Sequence, residues 1–196
     1  DVVLLCDENM TARAIEANAE LVGRFGSEII LNRHDRLPHI SLAMGCINEN
    51  QIPFIEQLLA EIAARFPITE LCADRIKTST NATGQQVSAF ELERTARLQR
   101  LHEEVMMRLE PYLSRAVTPD MIYDEKVAQT TLDWIKDYAE KSSFEKFWPH
   151  VTIGYGRPER KYTPVRFRAT ELALCHLGNH CTCRRVLASV ELRGNR

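Results

Sequence analysis

The stretch "LPHISLAMG", Leu37 to Gly45, returns more than a hundred positions later as "WPHVTIGYG", Trp148 to Gly156. Pro, His and the final Gly are identical, and Ile/Val, Ser/Thr, Leu/Ile and Ala/Gly are close exchanges. Side chains in an extended strand alternate between its two faces. His39 and Ser41 then point one way and Ile40 and Leu42 the other; His150, Thr152, Val151 and Ile153 repeat the pattern. Each phrase therefore predicts a strand with one apolar side for a core and an imidazole beside a hydroxyl on the other. Pro38 and Pro149 suit strand starts, where a missing N–H costs little. The glycines near each end let the backbone turn away or let a ligand come close. Composition predicts roughly 0.6 His-x-Ser/Thr triplets by chance, whereas the chain has three. The third, His180-Cys181-Thr182, lacks the Pro and is set aside as accidental.

Outward from the phrases, "VVLLC" (2–6) reads as a buried strand and 11–25 as a helix with Ile15, Ala19 and Val22 at helical spacing. In 51–66, Ile55, Leu58, Leu59, Ile62 and Phe66 share one helical face, and Pro67 stops the helix. Strands follow at 69–77 and 85–93, with turn chemistry from Asn81 to Gly84. A helix over 94–110 carries Leu98, Leu101, Val105 and Leu109. Another, beginning near Pro119-Asp120 or shortly after, covers Val127, Thr131, Trp134, Ile135 and Tyr138. The chain closes with strands near 166–176 and 182–192, joined through "LGNH", whose Gly-Asn pair predicts a tight turn. Helices separate most strands and each half carries one phrase. The expected class is α+β, one domain over 1–196 built as two similar lobes.

The chain has 196 residues, 44% hydrophobic and 27% charged, which is ordinary globular composition. No apolar run approaches the ~18 residues that cross a bilayer, and the opening lacks the pattern of a secretory signal. The six cysteines are scattered, so they read as reduced thiols in a cytoplasmic protein. Net charge is -2, yet residues 157–196 hold nine Lys/Arg against three Asp/Glu. That segment is either a solvated face or a region that favours an anionic ligand.

Two imidazoles and two hydroxyls suit the opening of a phosphodiester. Attack on phosphorus needs one proton taken from water and one given to the departing oxygen. Imidazole titrates near neutrality, so one His serves as base while its partner serves as acid. Hydroxyls can hold the non-bridging oxygens and stabilise charge in the transition state. No metal or cofactor is required by this scheme.

The paired "PHIS" and "PHVT" resemble the signature of the 2H phosphoesterases, including the cyclic phosphodiesterase and 2′,5′-RNA-ligase-like branch; the "LGN" of the closing hairpin is similar too. The resemblance implies a bilobal α+β fold, two lobes of antiparallel sheet plus helices around a central cleft. It makes His39 and His150 the catalytic pair and Ser41 and Thr152 the phosphate-binding hydroxyls. The implied substrates are 2′,3′-cyclic phosphates, 2′,5′ linkages or related cyclic nucleotides, on RNA ends or on small nucleotides, with 2′,5′-RNA ligation as a related activity and a non-catalytic phosphate-binding module as the alternative. Many relatives carry a basic residue soon after the Thr, whereas here "IGYGR" delays Arg157 to five positions beyond it.

Further candidates for substrate contact are Trp148 and Tyr155, as stacking platforms for a base, and Arg157 and Arg36, for a phosphate. Core packing competes for Trp148, and solvated surface for both arginines. Tyr155 is odd by strand parity and reaches the site only if its strand bends. "CHLGNHCTC" (175–183) holds three Cys and two His, but not at zinc-finger or zinc-ribbon spacing, so it reads as a hairpin with small buried thiols rather than a metal site. No membrane partner is expected, and a monomer is compatible with the chain.

Overall fold

The computed structural model describes residues 1–192 other than Ser27, Ile68, Thr69 and Ala82. Both phrases form strands, and their alternation holds: Ile40, Leu42, Val151 and Ile153 are fully buried, while His39, Ser41, His150 and Thr152 are half-buried on the other side. The strands are β1 (Val2–Cys6), β2 (His39–Ala43), β3 (Glu70–Thr80), β4 (Gln86–Leu92), β5 (His150–Tyr155), β6 (Val165–Leu177) and β7 (Cys183–Glu191). The helices are α1 (Glu8–Phe25), α2 (Ile52–Arg65), α3 (Ala96–Leu109) and α4 (Gln129–Lys141).

The strands make one antiparallel sheet in the order β2-β1-β6-β3-β4-β5, with β7 on a second edge of β6. The long β6 joins the halves: Val165 to Arg168 pair with β3, and Ala169 to Leu174 with β1. The two ends of the order, β2 and β5, are not paired, yet they approach within 8 Å between Cα atoms. The sheet therefore curls until the two phrases lie alongside each other.

Each phrase strand is backed by a helix from the other half, α1 against β5 and α3 against β2. A buried polar side chain locks each crossing. Asn18 of α1 donates from Nδ2 to the carbonyls of Ile29 and Ile153, and its Oδ1 accepts the Leu31 N–H, all at 2.8 Å. His102 of α3 donates from Nδ1 to the Leu42 carbonyl, and its Nε2 accepts the Phe144 N–H, both at 2.8 Å. Leu42 and Ile153 occupy the same place in the two phrases, three residues after the histidine. Every polar atom of these two side chains that could be orphaned has a partner, which is what burial demands.

Local chemistry explains the helix boundaries. Asp7 caps α1 by accepting the Met10 N–H on Oδ1, and its Oδ2 accepts the Arg168 N–H from β6. Thr95 caps α3 through the Leu98 N–H. The helix expected from near Pro119 starts only at Gln129; before it lies a single short turn, Pro119–Met121. Tertiary bonds hold the intervening chain out of a helix: the Tyr123 N–H goes to the Leu177 carbonyl and the Ala128 N–H to Asn179 Oδ1. The turn between β3 and β4 is built on Asn81, whose Oδ1 accepts the Thr83 and Gln85 N–H groups, and on Gly84 at φ 83°. Ala82, inside it, lies outside the described residues.

Two expectations are corrected at the closing hairpin. The turn spans 178–182 rather than a tight Gly-Asn pair, and its left-handed residues are His180 (φ 57°) and Cys181 (φ 55°). Asn179 is committed elsewhere, its side chain accepting from Ala128 and from Thr131 Oγ1. Gly178 serves close packing, since a Cβ there would lie 2.3 Å from Asp124 Oδ2. The six cysteines are not all free thiols. Cys175 of β6 and Cys183 of β7 form a disulfide, with Cα atoms 5.8 Å apart. The other four are free thiols. The terminal glycines of the phrases also serve packing: a Cβ on Gly156 would strike the Phe25 ring at 2.2 Å, and one on Gly45 would crowd Leu113 at 3.1 Å.

Candidate active site

The site is built where β2 and β5 meet. His39 Nδ1 lies 2.8 Å from the Leu37 carbonyl and His150 Nδ1 lies 2.7 Å from the Trp148 carbonyl. A carbonyl oxygen only accepts, so each Nδ1 carries the proton. The lone pair of each neutral ring is then on Nε2. Among the described residues neither Nε2 makes a hydrogen bond; that of His39 faces the Asp1 carboxylate at 3.8 Å. His102 is the useful contrast, because both of its nitrogens are consumed by backbone groups. It is a structural histidine by the same criterion that leaves the other two available.

Burial pushes the His39 imidazole down to about 4, against the pull of the Leu37 carbonyl, and the charge of His150 pushes it the same way. Burial also lowers His150; the Trp148 carbonyl opposes it, Lys77 adds to it and Glu91 opposes it. The two rings thus feel each other across the strand ends. Both are neutral near pH 7, so either can begin as a base.

The hydroxyls differ. Ser41 Oγ donates to Asp1 Oδ2 at 2.8 Å, whereas Thr152 Oγ1 has no hydrogen-bond partner among the described residues. The Asp1 side chain is fully buried, and its Oδ1 has no partner among the described residues. The Tyr138 hydroxyl of α4 is raised by burial and lies 3.4 Å from the Ser41 carbonyl, closing this side of the site.

Trp148 is not a core residue. Its ring stacks on the His150 ring with centroids 4.1 Å apart, and its Nε1 donates to Glu91 Oε1 at 2.9 Å. Glu91 is the cross-strand neighbour of His150 and also holds Arg75 and Lys77. The bend that Tyr155 requires is present. The β4–β5 register slips between Ser88 and Ala89, Gly154 sits at φ 129°, and two residues of β5 oppose one of β4. Tyr155 then meets the closing hairpin, its hydroxyl 2.9 Å from His180 Nδ1.

The arginines are less engaged. Arg36 lies 3.8 Å from Asp35, and Arg157 is exposed with no hydrogen bond or ion pair among the described residues. Among the described residues of 157–196, part of the basic excess is offset by pairing, Arg160 with Glu16, Arg166 with Glu70, and Arg184 with Asp35 and Asp124. Among the described residues no three His, Cys, Asp or Glu side chains are grouped to hold a metal ion. No helix among them is long and apolar enough to cross a membrane.

Asp1, Glu91 and Lys77 were not singled out by sequence. Period-2 alternation does place Glu91 on one face of β4, but which strand pairs with that face is a tertiary fact. Asp1 precedes β1 and carries no local signal at all.

The family model for the 2′-5′ RNA ligase superfamily matches residues 19–180. The chain belongs to the 2′-5′ RNA ligase superfamily. Membership in this group of 2H phosphoesterases supports a phosphoesterase or ligase-like activity. The matched span contains both phrases, with His39, Ser41, His150 and Thr152 inside it. The crystal structure of TT0787 of Thermus thermophilus superposes with a TM-score of 0.60 at 18% identity, covering 100% of this chain and 98% of that one. At that identity it shows the shared fold alone. No curated protein matches the chain at a significant level.

Proposed function

We propose that this superfamily member is a phosphodiesterase that hydrolyses 2′,3′-cyclic, or related cyclic or 2′-linked, phosphodiesters of RNA ends or small nucleotides. The observation that carries this reading is the matched pair of imidazoles. Each has Nδ1–H anchored on the carbonyl two residues back and Nε2 left unbonded among the described residues, on strands that lie alongside each other.

One Nε2 takes the proton of the attacking water as its oxygen bonds to phosphorus. The other ring, carrying a proton on Nε2, gives it to the 2′ or 3′ oxygen as that bond to phosphorus breaks. An anionic phosphate placed between the rings favours protonation of one of them, offsetting the burial that keeps both neutral. Thr152 Oγ1 is ready to donate to a non-bridging oxygen. The Ser41 proton is directed at Asp1, so that hydroxyl rotates to do the same. Trp148, stacked on His150, holds the ring in place. The proton transfers need no metal. If a ribose hydroxyl attacks in place of water, the same groups join RNA ends.

The test is a panel of nucleoside 2′,3′-cyclic phosphates, 2′,5′-dinucleotides and ADP-ribose cyclic phosphate, with products identified. His39→Ala and His150→Ala should each abolish turnover while the far-UV spectrum and Tm persist. Full activity in either variant removes the mechanism. Tight binding with no product after long incubation makes the protein a binding module.

A further inference from the structure

Beside His150 lies an open groove of about 570 Å³, running from Trp148 and Pro149 across β3 and β4. Four cations line it, Arg75, Lys77, Arg94 and Lys146, against two carboxylates, Asp74 and Glu91. The groove thus has two positive charges in excess. Arg75 and Lys77 share the single carboxylate of Glu91 and remain 71% and 47% exposed. Among the described residues Arg94 and Lys146 bind only neutral carbonyls: Arg94 those of Glu145 and Phe147, and Lys146 that of Glu140. These backbone bonds fix the cations in place without cancelling their charge. Clustered, uncompensated, pre-positioned cations are a site for an anion of matching spacing. The groove is also continuous with the candidate active site, since its wall residue Trp148 stacks on His150 and its Pro149 is the residue before it.

We propose that this groove holds the backbone phosphates of a single-stranded polyribonucleotide whose terminal phosphodiester lies between His39 and His150. The inference rests on the reading of that pair as the phosphodiester site and narrows its substrate to a strand end rather than a free nucleotide. The half-buried indole of Trp148 offers a flanking base an aromatic edge, and the cations meet the phosphates next to the reacting end. Among the described residues the face that carries His39 is lined differently: its neighbours on β1 are Val3 and Leu5, and beyond them on β6 are Ala173 and a carboxylate, Glu171, which repels phosphate. The strand is therefore directed away over the His150 half.

The experiment measures binding, so it does not depend on turnover. A 5′-labelled hexaribonucleotide ending in a 2′-phosphate, a product-like end, is titrated by fluorescence anisotropy at several salt concentrations. Uridine 2′-phosphate is titrated alongside by competition. Two phosphates in the groove should make the log–log salt slope of the hexamer steeper than that of the mononucleotide by about 1.4, at ~0.7 per neutralised phosphate of a single strand. Lys146→Ala, which removes one cation and one contact to a helix-end carbonyl, should bring the difference to about 0.7. Equal slopes for the two ligands, or no change in Lys146→Ala, overturn the proposal. So does a hexaglutamate peptide that competes as well as the hexamer, because the groove would then read charge alone and suit an acidic protein. A steep slope in a protein that opens no cyclic phosphate keeps the groove and sinks the two-histidine reaction.

Discussion

The two phrases are nearly the same sequence set in unlike surroundings. Both histidines anchor Nδ1 two residues back, and both strands have a helix from the opposite half behind them. The shared parts are those within the phrase. The neighbours differ. His39 looks toward a buried carboxylate, on a sheet face whose cross-strand partners are apolar. His150 is stacked under an indole, opposite Glu91, with Lys77 4.7 Å from the indole centre. A repeat of nine residues can duplicate a chemical part, but the part's working pKa and its substrate side come from what packs next to it.

The sharpest break of this comparison is removal of one imidazole at a time. Loss of acid–base catalysis costs at least about 10²–10⁴-fold in rate, so His39→Ala and His150→Ala should each leave no turnover of a 2′,3′-cyclic phosphate above about one hundredth of the original kcat, the level at which the assay counts it as abolished. A drop for one and not the other would show that the phrases are alike in form only.

Next are the two braces. Asn18→Ala leaves the Leu31 N–H and two carbonyls without their bonds, and His102→Ala strips the Leu42 carbonyl and the Phe144 N–H. Each should cost about 2–4 kcal/mol, as buried groups left unsatisfied do. Urea titration with unchanged m measures it. Equivalent losses would extend the symmetry of the phrases to their supports.

A third test uses pH. His39 and His102 are both pushed down to about 4 by burial, from an ordinary value of 6.5. Between those values the unfolded chain binds protons that the folded rings refuse. Stability should therefore be full above about pH 6.5 and decline as pH falls toward 4, the direction required when the unfolded state holds more protons. The urea midpoint followed over this window measures it, and His102→Gln should flatten part of the fall. A midpoint that stays level overturns the account.

The smallest effect concerns His150 alone. Lys77 lowers its pKa and Glu91 raises it. Lys77→Met should move the acid limb of kcat/KM upward and Glu91→Gln downward, each by less than about one pH unit. Shifts of the same sign would show that the limb belongs to another group.

Much of this molecule could be read from the chain because its signals are short-range. Period-2 alternation in 38–44 and 150–155, the apolar stripe of Ile55, Leu58, Leu59 and Ile62, and the stop at Pro67 depend only on nearby residues, and each matches an observed element. Where long-range bonds compete, local reading failed. The chain before Gln129 is held out of a helix by Leu177 and Asn179, and the Gly-Asn pair of the hairpin is used for packing and side-chain bonds instead of turning. The Cys175–Cys183 disulfide needs the β6–β7 register, and a count of cysteines does not supply it.

Taken alone, the amino-acid order determined the α+β class, both histidine strands and which side of each faces outward, since alternation is a property of an extended backbone. Only the tertiary structure decided that the ends of a curled sheet meet and that Asn18 and His102 lock them from opposite halves. It alone also placed Glu91 and Lys77 beside His150 and Asp1 beside His39. Those contacts join residues far apart in sequence, and their energies depend on burial and distance, which no local pattern encodes.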